Sequence, residues 1–486
     1  MSTPEAIVLS HSQAPSRIVL LLLFLIVCPA QQAQTPSPAL ADLQRDFAMR
    51  YLEPEPHLAL ARYYFDRGDR LLAFYISEAA RQGRFEEKIF DPAFFRVFAG
   101  FDNSKAAEAR LLAEYSRHPH SIDTIDALAD IYISREDWLN AKRYLREAIQ
   151  KKPEDYRFTL ELPKVLDREG KKQESAQLTN DYVKNFPNSA ATFSIRAEKL
   201  TEKQPLEARR IIAEGLKLFP NDGLLLFDLG ITYQREDRQK AEEALVKAAE
   251  LSPKSELIQT WVGRFFFKVK ADNSRALEYY LNAYFINPHA YETEFVESRI
   301  RKIAYELATQ KVAEQTKRGV SLVSLLSDPN PAVVSLALEQ MGENWLPAYV
   351  APVVQLTGHP DPGLRAEAAE TLKTRVDSSF DAQLKALLAD NDLPKRGLAI
   401  YIAVYRWKDK SFGLVRNLLK DESQLIRFDA VSALFLEGGP AGRRLAKAHG
   451  VHEPNATLKK LIEKAASRRP TLSETKRGAL SASLDS

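Results

Sequence analysis

Two pairs of histidines are the side chains whose types and spacing could do chemistry in this 486-residue chain. His118 and His120 flank a proline, and His449 and His452 lie one helical turn apart beside Glu453. Two imidazoles with at most one carboxylate make a weak zinc site, so we favour solvated or structural histidines at both places. His-Glu-x-x-His, Gly-x-Ser-x-Gly and a phosphate-cradling glycine loop do not occur in the sequence. No catalytic residue, metal site or cofactor is therefore predicted.

One stripe of carboxylates has a spacing that predicts a surface rather than a core. Asp123, Asp126 and Asp130 are separated by three and four residues, so a helix would place all three on one face. Like charges at this spacing mildly destabilise a helix. The stripe therefore indicates either a solvated charged face or a surface that binds a basic partner.

The elements that position these side chains are predicted to be helices. Glycine is scarce, at 19 residues, and few positions can then adopt the left-handed turns that a turn-rich β protein needs. The chain carries 68 Lys and Arg against 65 Asp and Glu, a net charge of +3. That balance provides no general field for gripping a phosphate backbone, so nucleic-acid binding is not expected.

The N-terminal 30 residues have the pattern of a secretory signal peptide. Arg17 precedes an apolar run over residues 18–28, and cleavage is expected near Ala30. This run is too short to span a membrane, which takes about 20 residues. Lipidation of Cys28, an uncleaved tether and a buried helix are the alternatives. We expect an exported protein, periplasmic or secreted, without disulfides because Cys28 is the only cysteine.

Prolines recur at nearly equal intervals in the first half of the chain. Their spacings are 34, 34, 33, 33 and 35 residues, at Pro119, Pro153, Pro187, Pro220, Pro253 and Pro288. Small residues seven apart precede several of them: Ala141 and Ala148, Ala208 and Gly215, Ala241 and Ala248, and Ala276 and Ala283. Each small pair shares one helix face and allows close helix packing, and each proline then ends a pair of helices.

This pattern resembles the tetratricopeptide repeat, a helical hairpin of about 34 residues. The clearest unit carries Leu128, Ala129, Tyr132, Trp138, Ala141, Leu145, Ala148 and Pro153. Seven units are predicted, at about 54–87, 88–121, 122–155, 156–189, 190–222, 223–255 and 256–290. The first lacks a closing proline, the second has Phe94 and Phe95 where small residues are expected, and the fourth has Pro163 in a small-residue position.

The resemblance implies that the first helix of each unit lines a concave groove that binds proteins or peptides. The groove residues it singles out are Asp123, Asp126, Asp130, Arg157, Lys164, Arg168, Phe227, Arg235, Arg264 and Phe267. The Lys and Asn pattern of the clamp for chaperone C-termini is not matched. Two interpretations stay open: a solvated charged face, or a groove with an acidic end and a basic-aromatic end that binds an extended segment.

After residue 320 the period becomes 31 residues. The repeating columns are Leu325, Leu356, Leu387 and Leu418; Ala337, Ala368, Ala399 and Ala430; and the turn residues Asp328, His359, Asp390 and Asp421. Six residues after the last three turn positions come Arg365, Arg396 and Arg427. This series resembles the HEAT-type repeat. The Asp and Arg columns are interpreted as helix capping and inter-repeat hydrogen bonding, with an anion site as the alternative.

Together the patterns predict an all-α solenoid of about seven tetratricopeptide-like hairpins followed by about four HEAT-like hairpins. The predicted segments are a signal peptide at 1–30, a linker and helix at 31–53, the first solenoid at 54–290, a junction helix at 291–319, the second solenoid at 320–437, a C-terminal cap at 438–466 and a disordered tail at 467–486.

The predicted function is a non-enzymatic interaction scaffold or adaptor of the cell envelope. Its expected partners are other proteins or peptides, without nucleic acid or a small-molecule cofactor. Membrane contact is expected only through an uncleaved or lipidated N-terminus. Two alternatives stay open: an accessory subunit of an envelope enzyme or assembly machine, and an enzyme with a cryptic site.

Overall fold

The computed structural model describes residues 38–82, 103–153, 155–286 and 293–467. The predicted signal peptide with Cys28 and Ala30, the first helix of the second unit, Pro288 and the predicted tail beyond residue 467 lie outside the described residues. Within the described ranges the secondary structure is helical, without strands. No helix in these ranges is both long and apolar enough to cross a bilayer.

Most helices of the first half are paired into antiparallel hairpins. In chain order they are α1 (Pro38–Met49), α2 (Pro54–Asp66), α3 (Arg70–Gln82), α4 (Asn103–Arg117), α5 (Ile122–Ser134), α6 (Trp138–Lys151), α7 (Tyr156–Arg168), α8 (Lys172–Asn185), α9 (Ala190–Thr201), α10 (Pro205–Leu218), α11 (Gly223–Tyr233), α12 (Arg238–Leu251), α13 (Glu256–Phe265) and α14 (Asn273–Ile286). The all-α class predicted from glycine scarcity and periodicity is confirmed.

Local sequence sets the ends of these helices. Ser121, Asp137 and Ser255 cap the next helix by accepting a hydrogen bond from a backbone N–H two or three residues inside it. Pro187 and Pro220 each follow the end of a helix by two residues. Pro163 lies inside α7 without breaking it. The recurring prolines Pro187 and Pro220 therefore lie at boundaries between hairpins, as predicted.

Small residues hold the paired helices close together. The small-residue columns of both series are buried: Ala141, Ala148, Ala208, Ala241, Ala248, Ala276, Ala283, Ala337, Ala368, Ala399 and Ala430 are at most 1% exposed. Gly230 of α11 shows why size matters, because a Cβ there would lie 2.5 Å from the side chain of Leu245 on α12. The predicted register of the helix faces is confirmed.

The second half continues with one long helix and a series of shorter hairpins. These helices are α15 (Thr293–Lys317), α16 (Leu322–Leu325), α17 (Pro331–Glu343), α18 (Val350–Leu356), α19 (Pro362–Arg375), α20 (Asp381–Leu388), α21 (Leu393–Trp407), α22 (Phe412–Leu418), α23 (Gln424–Leu436), α24 (Gly439–Gly450) and α25 (Ala456–Ser467). A π-helical turn, Phe266–Lys270, extends α13, and 3₁₀ turns precede α18, α20 and α22.

The turns of the second series share one hydrogen-bonding pattern. The side chains of Asp328, Asp390 and Asp421 each accept the backbone N–H two residues later, at 2.8–2.9 Å. Glu453 makes the same bond at 2.9 Å with the N–H of Asn455, which then caps α25. The predicted C-terminal cap is therefore built in the same way as the HEAT-like hairpins before it.

The arginines that recur in the second series make hydrogen bonds within and between the turns, as the capping interpretation predicts. Arg427 donates to the carbonyl of Asp421 at 2.8 Å and lies 3.2 Å from the buried carboxylate of Glu453 in the next turn. Arg396 reaches Asp421 at 3.0 Å. His449 also contacts Glu453, at 2.7 Å, so this histidine lies in a structural network. Among the described residues, no group of three or more metal-binding side chains is assembled.

The N-terminal helices lie against both solenoids. Ser423 at the start of α23 donates to the carbonyl of Ala48 in α1 at 2.8 Å. In α3, Ser77 and Tyr284 of α14 are joined by a hydrogen bond of 2.8 Å between their hydroxyls. Residues 38–82 thus connect the last tetratricopeptide-like hairpin to the HEAT-like part. No repeat pattern in the sequence predicts these contacts.

Candidate partner-binding groove

The first helices of successive hairpins lie side by side and share a face. Arg157 of α7 reaches Asp126 of α5 at 3.2 Å. Farther along, the rings of Phe227 on α11 and Trp261 on α13 are 6.2 Å apart. The guanidinium of Arg264, also on α13, lies 4.8 Å from the ring of Phe295 on α15. We call this face, from α5 to α15, the groove.

The groove is acidic at its α5 end. Burial raises the pKa of Asp130 well above its usual range, and the neighbouring carboxylates of Asp126, Glu161 and Glu256 raise it further, while Arg157 opposes them. Glu256 begins α13, four hairpins along the chain from α5.

A second carboxylate lies near the middle of the groove. Burial raises the pKa of Asp228 on α11 to about 7, against a hydrogen bond from Ser194 of α9 that favours the charged form. Its Oδ2 atom is buried and has no hydrogen-bond partner in the described part of the chain. An incompletely satisfied buried carboxylate costs stability unless a ligand or a proton satisfies it.

The α15 end of the groove is aromatic and basic. Arg264 lies 4.5 Å from the ring of Trp261 and 4.8 Å from that of Phe295. Arg299 lies 5.0 Å from the same Phe295 ring and 5.3 Å from that of Phe267. Rings and guanidinium groups therefore alternate along this end, at distances where cation–π attraction acts. We call these five residues the stack.

The predicted groove residues have different surroundings. Lys164 is exposed and pairs with Glu161 at 3.1 Å, and Arg168 and Arg235 are exposed. Phe227 was expected to present aromatic area, but its side chain packs into the core and is only 8% exposed. Asp123 lies on α5 with the other two aspartates, and its side chain is outside the described part.

Several residues of the groove escaped the sequence analysis. Asp228 occupies the sixth position of its unit, which the repeat resemblance does not count among the groove positions. Phe295 and Arg299 lie on α15, beyond the last predicted unit. A search for aromatic and basic residues on the junction helix would have found both. Trp261 lies in the seventh unit at a position that the resemblance also passes over.

Comparison with known proteins identifies part of the chain. Residues 320–402 match the family model for HEAT repeats. This segment is similar to HEAT repeats. The match runs from the start of α16 into α21 and so lies within the segment 320–437 that the 31-residue columns assign to HEAT-like repeats. With the hairpins before it, the described part of the chain is an all-α solenoid with repeats that resemble the tetratricopeptide and HEAT types.

Solved structures with related helices give only weak overlays. MamA from Desulfovibrio magneticus RS-1 is 21% identical, with 34% of this chain and 94% of that chain covered and a TM-score of 0.20. The Cut9–Hcn1 hetero-tetramer of the APC/C is 14% identical, with 69% of this chain and 58% of that chain covered and a TM-score of 0.26. No functional inference is based on either overlay. Among curated proteins, no sequence matches the chain.

Proposed function

We propose that the protein is a non-enzymatic interaction scaffold whose groove binds an extended segment of a partner protein. The observation that carries this proposal is the charge arrangement of the groove, with Asp126 and Asp130 on α5 at one end and the stack of α13 and α15 at the other. Solenoid repeats contact only their neighbours, so a partner can follow the stacked first helices over several hairpins.

The opposite ends of the groove give the bound segment a direction. A basic part of the segment would lie at the acidic end. There Arg157 already lowers the pKa of Asp130, which the neighbouring carboxylates raise, and a basic side chain of the partner would act in the same direction as Arg157. An aromatic or acidic part would lie on the stack. Complementary charge of this kind contributes chiefly to specificity and to the rate of association.

We place this scaffold outside the cytoplasm as part of the same proposal. The support comes from the sequence alone: an apolar run over residues 18–28 after Arg17, followed by small residues up to Ala30. N-terminal sequencing of the protein purified from its host should give a start near Gln31. A cytosolic species that retains Met1 would contradict export and would leave the groove proposal untouched.

Charge reversal at the acidic end tests the groove. Partners are first isolated by affinity purification from envelope extract, and the affinity of the purified partner is then measured at low and moderate salt. The Asp126→Lys, Asp130→Lys double variant should bind more weakly and with a flatter salt dependence, since screening acts on the charges it removes. Equal affinities and equal salt slopes for the variant and the wild type would eliminate the acidic end as a binding site.

A matched control comes from the second helices of the hairpins. Glu243 and Glu250 are exposed on α12, so the Glu243→Lys, Glu250→Lys variant carries the same change in net charge outside the groove. This control should bind like the wild type.

The affinity purification also separates two kinds of scaffold. A single enzyme recovered in stoichiometric amount would identify the protein as an accessory subunit rather than a general adaptor.

A further inference from the structure

We propose that the stack is a receptor for a carboxylate side chain, and that Arg299 is the residue that binds it. The inference rests on the proposed function and names the chemistry of the partner at the α15 end: a segment that carries glutamate or aspartate. It is carried by the geometry of the stack and by the bonding of Arg299.

The stack holds Arg299 in place without neutralising it. Its guanidinium contacts two rings, those of Phe267 and Phe295, at 5.3 and 5.0 Å from their centroids. Contact with two aromatic rings restricts the side chain, so less conformational freedom remains to be lost when an anion binds. The rings attract a cation but accept no strong hydrogen bond, so the N–H groups keep their bonding capacity.

Arg299 has no acceptor of its own in the described part of the chain. Its Nε atom is buried and makes no hydrogen bond, and no carboxylate forms an ion pair with it there. Two arginines packed between helices elsewhere do have acceptors: Arg406 donates to the carbonyl of Val376 at 2.7 Å, and Arg427 contacts Glu453 at 3.2 Å. A partly buried guanidinium without an acceptor is costly, and a bound anion would remove that cost.

Charges around Arg299 favour an anion. Lys302 lies one turn farther along α15, with its ammonium 5.7 Å from the ring of Phe267. Two carboxylates of α15 have partners in the described part of the chain: Glu297 pairs with Arg301 at 3.5 Å, and Glu306 accepts from Asn273 at 3.0 Å and lies 3.8 Å from Lys302. The five residues of the stack themselves comprise two guanidinium groups and no carboxylate.

A carboxylate fits this site better than other anions. The planar fork of a guanidinium matches a carboxylate with two parallel hydrogen bonds. One guanidinium without an acceptor balances one singly charged group, whereas a phosphoryl group carries close to two charges at pH 7. Glutamate or aspartate in the partner segment, flanked by apolar side chains that cover the rings of the stack, is the complementary ligand.

Three labelled peptides of identical length test the inference. Each has two lysines near one end and two variable positions near the other, filled with glutamate, glutamine or phosphoserine. Fluorescence anisotropy should show the glutamate peptide binding most tightly to the wild type. Arg299→Gln should weaken binding of the glutamate peptide by roughly tenfold or more and leave the glutamine peptide unchanged.

Two further variants protect the test from a folding defect. Arg299→Lys keeps the charge but loses the planar fork, so it should recover only part of the affinity. Arg318→Gln removes one positive charge just beyond the end of α15, where Arg318 is exposed, and should bind like the wild type. Melting curves of all variants are recorded alongside.

The outcomes separate this inference from the proposed function. Equal binding of the glutamate and glutamine peptides, no binding of the glutamate peptide, or equal binding by Arg299→Gln and the wild type would overturn the carboxylate receptor. Clear preference for phosphoserine would overturn it in favour of a phosphopeptide site. If the purified partner binds the Asp126→Lys, Asp130→Lys variant more weakly than the wild type but binds Arg299→Gln equally well, the carboxylate receptor is contradicted and the groove proposal is supported.

Discussion

At the scale of single residues, the groove contains groups that the fold leaves incompletely satisfied. Asp228 receives a hydrogen bond from Ser194 but keeps a buried oxygen without a partner, and Arg299 has no acceptor among the described residues. The buried contact of Arg427 with Glu453 in the HEAT-like part is an example of a matched pair. Asp228 and Arg299 have opposite charge and lie on one face, so a ligand with both a basic and an acidic group could supply the missing hydrogen bonds of both.

Asp228 makes stability depend on pH in a direction that can be worked out. Its pKa is about 7 in the folded protein, against an ordinary value of 3.8 for an aspartate in the unfolded chain, so the folded protein binds more protons between these values. Its contribution to stability is therefore lost as pH rises from 3.8 to 7 and stays constant above 7. In Asp228→Asn this loss should be absent.

Melting temperatures of the wild type and Asp228→Asn between pH 5 and 8 measure the effect. Only the difference between the two proteins is informative, because burial lowers the pKa of His57 to about 3, which makes stability fall with acidification. Parallel melting temperatures across this range would show that Asp228 is not a buried acid.

At the scale of elements, sequence reasoning succeeds where contacts recur. Equal spacings of proline and alanine predict which helix faces meet, because each hairpin repeats the contact of the one before. The same regularity predicts the turn bonds of Asp328, Asp390 and Asp421. The stack was only partly predictable, since Arg264 and Phe267 follow the repeat whereas Phe295 and Arg299 lie on the helix after it.

Ala368 tests the packing of the HEAT repeats. It is fully buried on α19, so Ala368→Leu should overpack the helix contact and cost about 1–3 kcal/mol of unfolding free energy. Ala386→Leu is the control, because Ala386 is exposed on α20 and should change stability by less than about 0.5 kcal/mol. Denaturant unfolding measures both, and equal midpoints would show that the register is wrong.

Arg427 tests the contacts between turns. Arg427→Gln leaves Glu453 buried with fewer partners, and loss of one member of a buried ion pair costs about 3–5 kcal/mol. Arg396→Gln, in the same column but with a more exposed ion pair, should cost less. If thermal unfolding shows the same loss for both variants, or none, the arginine column does not stabilise the solenoid.

At the scale of the whole molecule, residues 38–82 join the two repeat series. Phe47 of α1 is buried against His57, with ring centroids 4.5 Å apart, and the guanidinium of Arg365 from α19 lies 5.4 Å from its ring. The contact between Phe47 and Arg365 joins residues hundreds of positions apart and does not recur from one repeat to the next. Such contacts leave no periodic trace, which is why the sequence analysis assigned this region to a linker and a first repeat.

Removal of the Phe47 ring should loosen this connection. Phe47→Ala is expected to cost about 3–5 kcal/mol and to speed hydrogen exchange in α23, which contacts α1. Phe186→Ala is the control, because Phe186 is 49% exposed and should lose far less. Unchanged exchange in α23 for Phe47→Ala would mean that the N-terminal helices do not support the HEAT repeats.

The central claim, that a partner segment lies in the groove, is tested most directly by site-specific photocrosslinking. A benzoylphenylalanine is placed at Lys164, exposed on α7 in the groove, or at Arg210, exposed on α10 outside it. After irradiation in envelope extract, mass spectrometry should find one partner segment crosslinked at position 164, lost in the Asp126→Lys, Asp130→Lys background, and absent at position 210. Equal crosslinking at both positions, or crosslinking at position 210 alone, would contradict the claim.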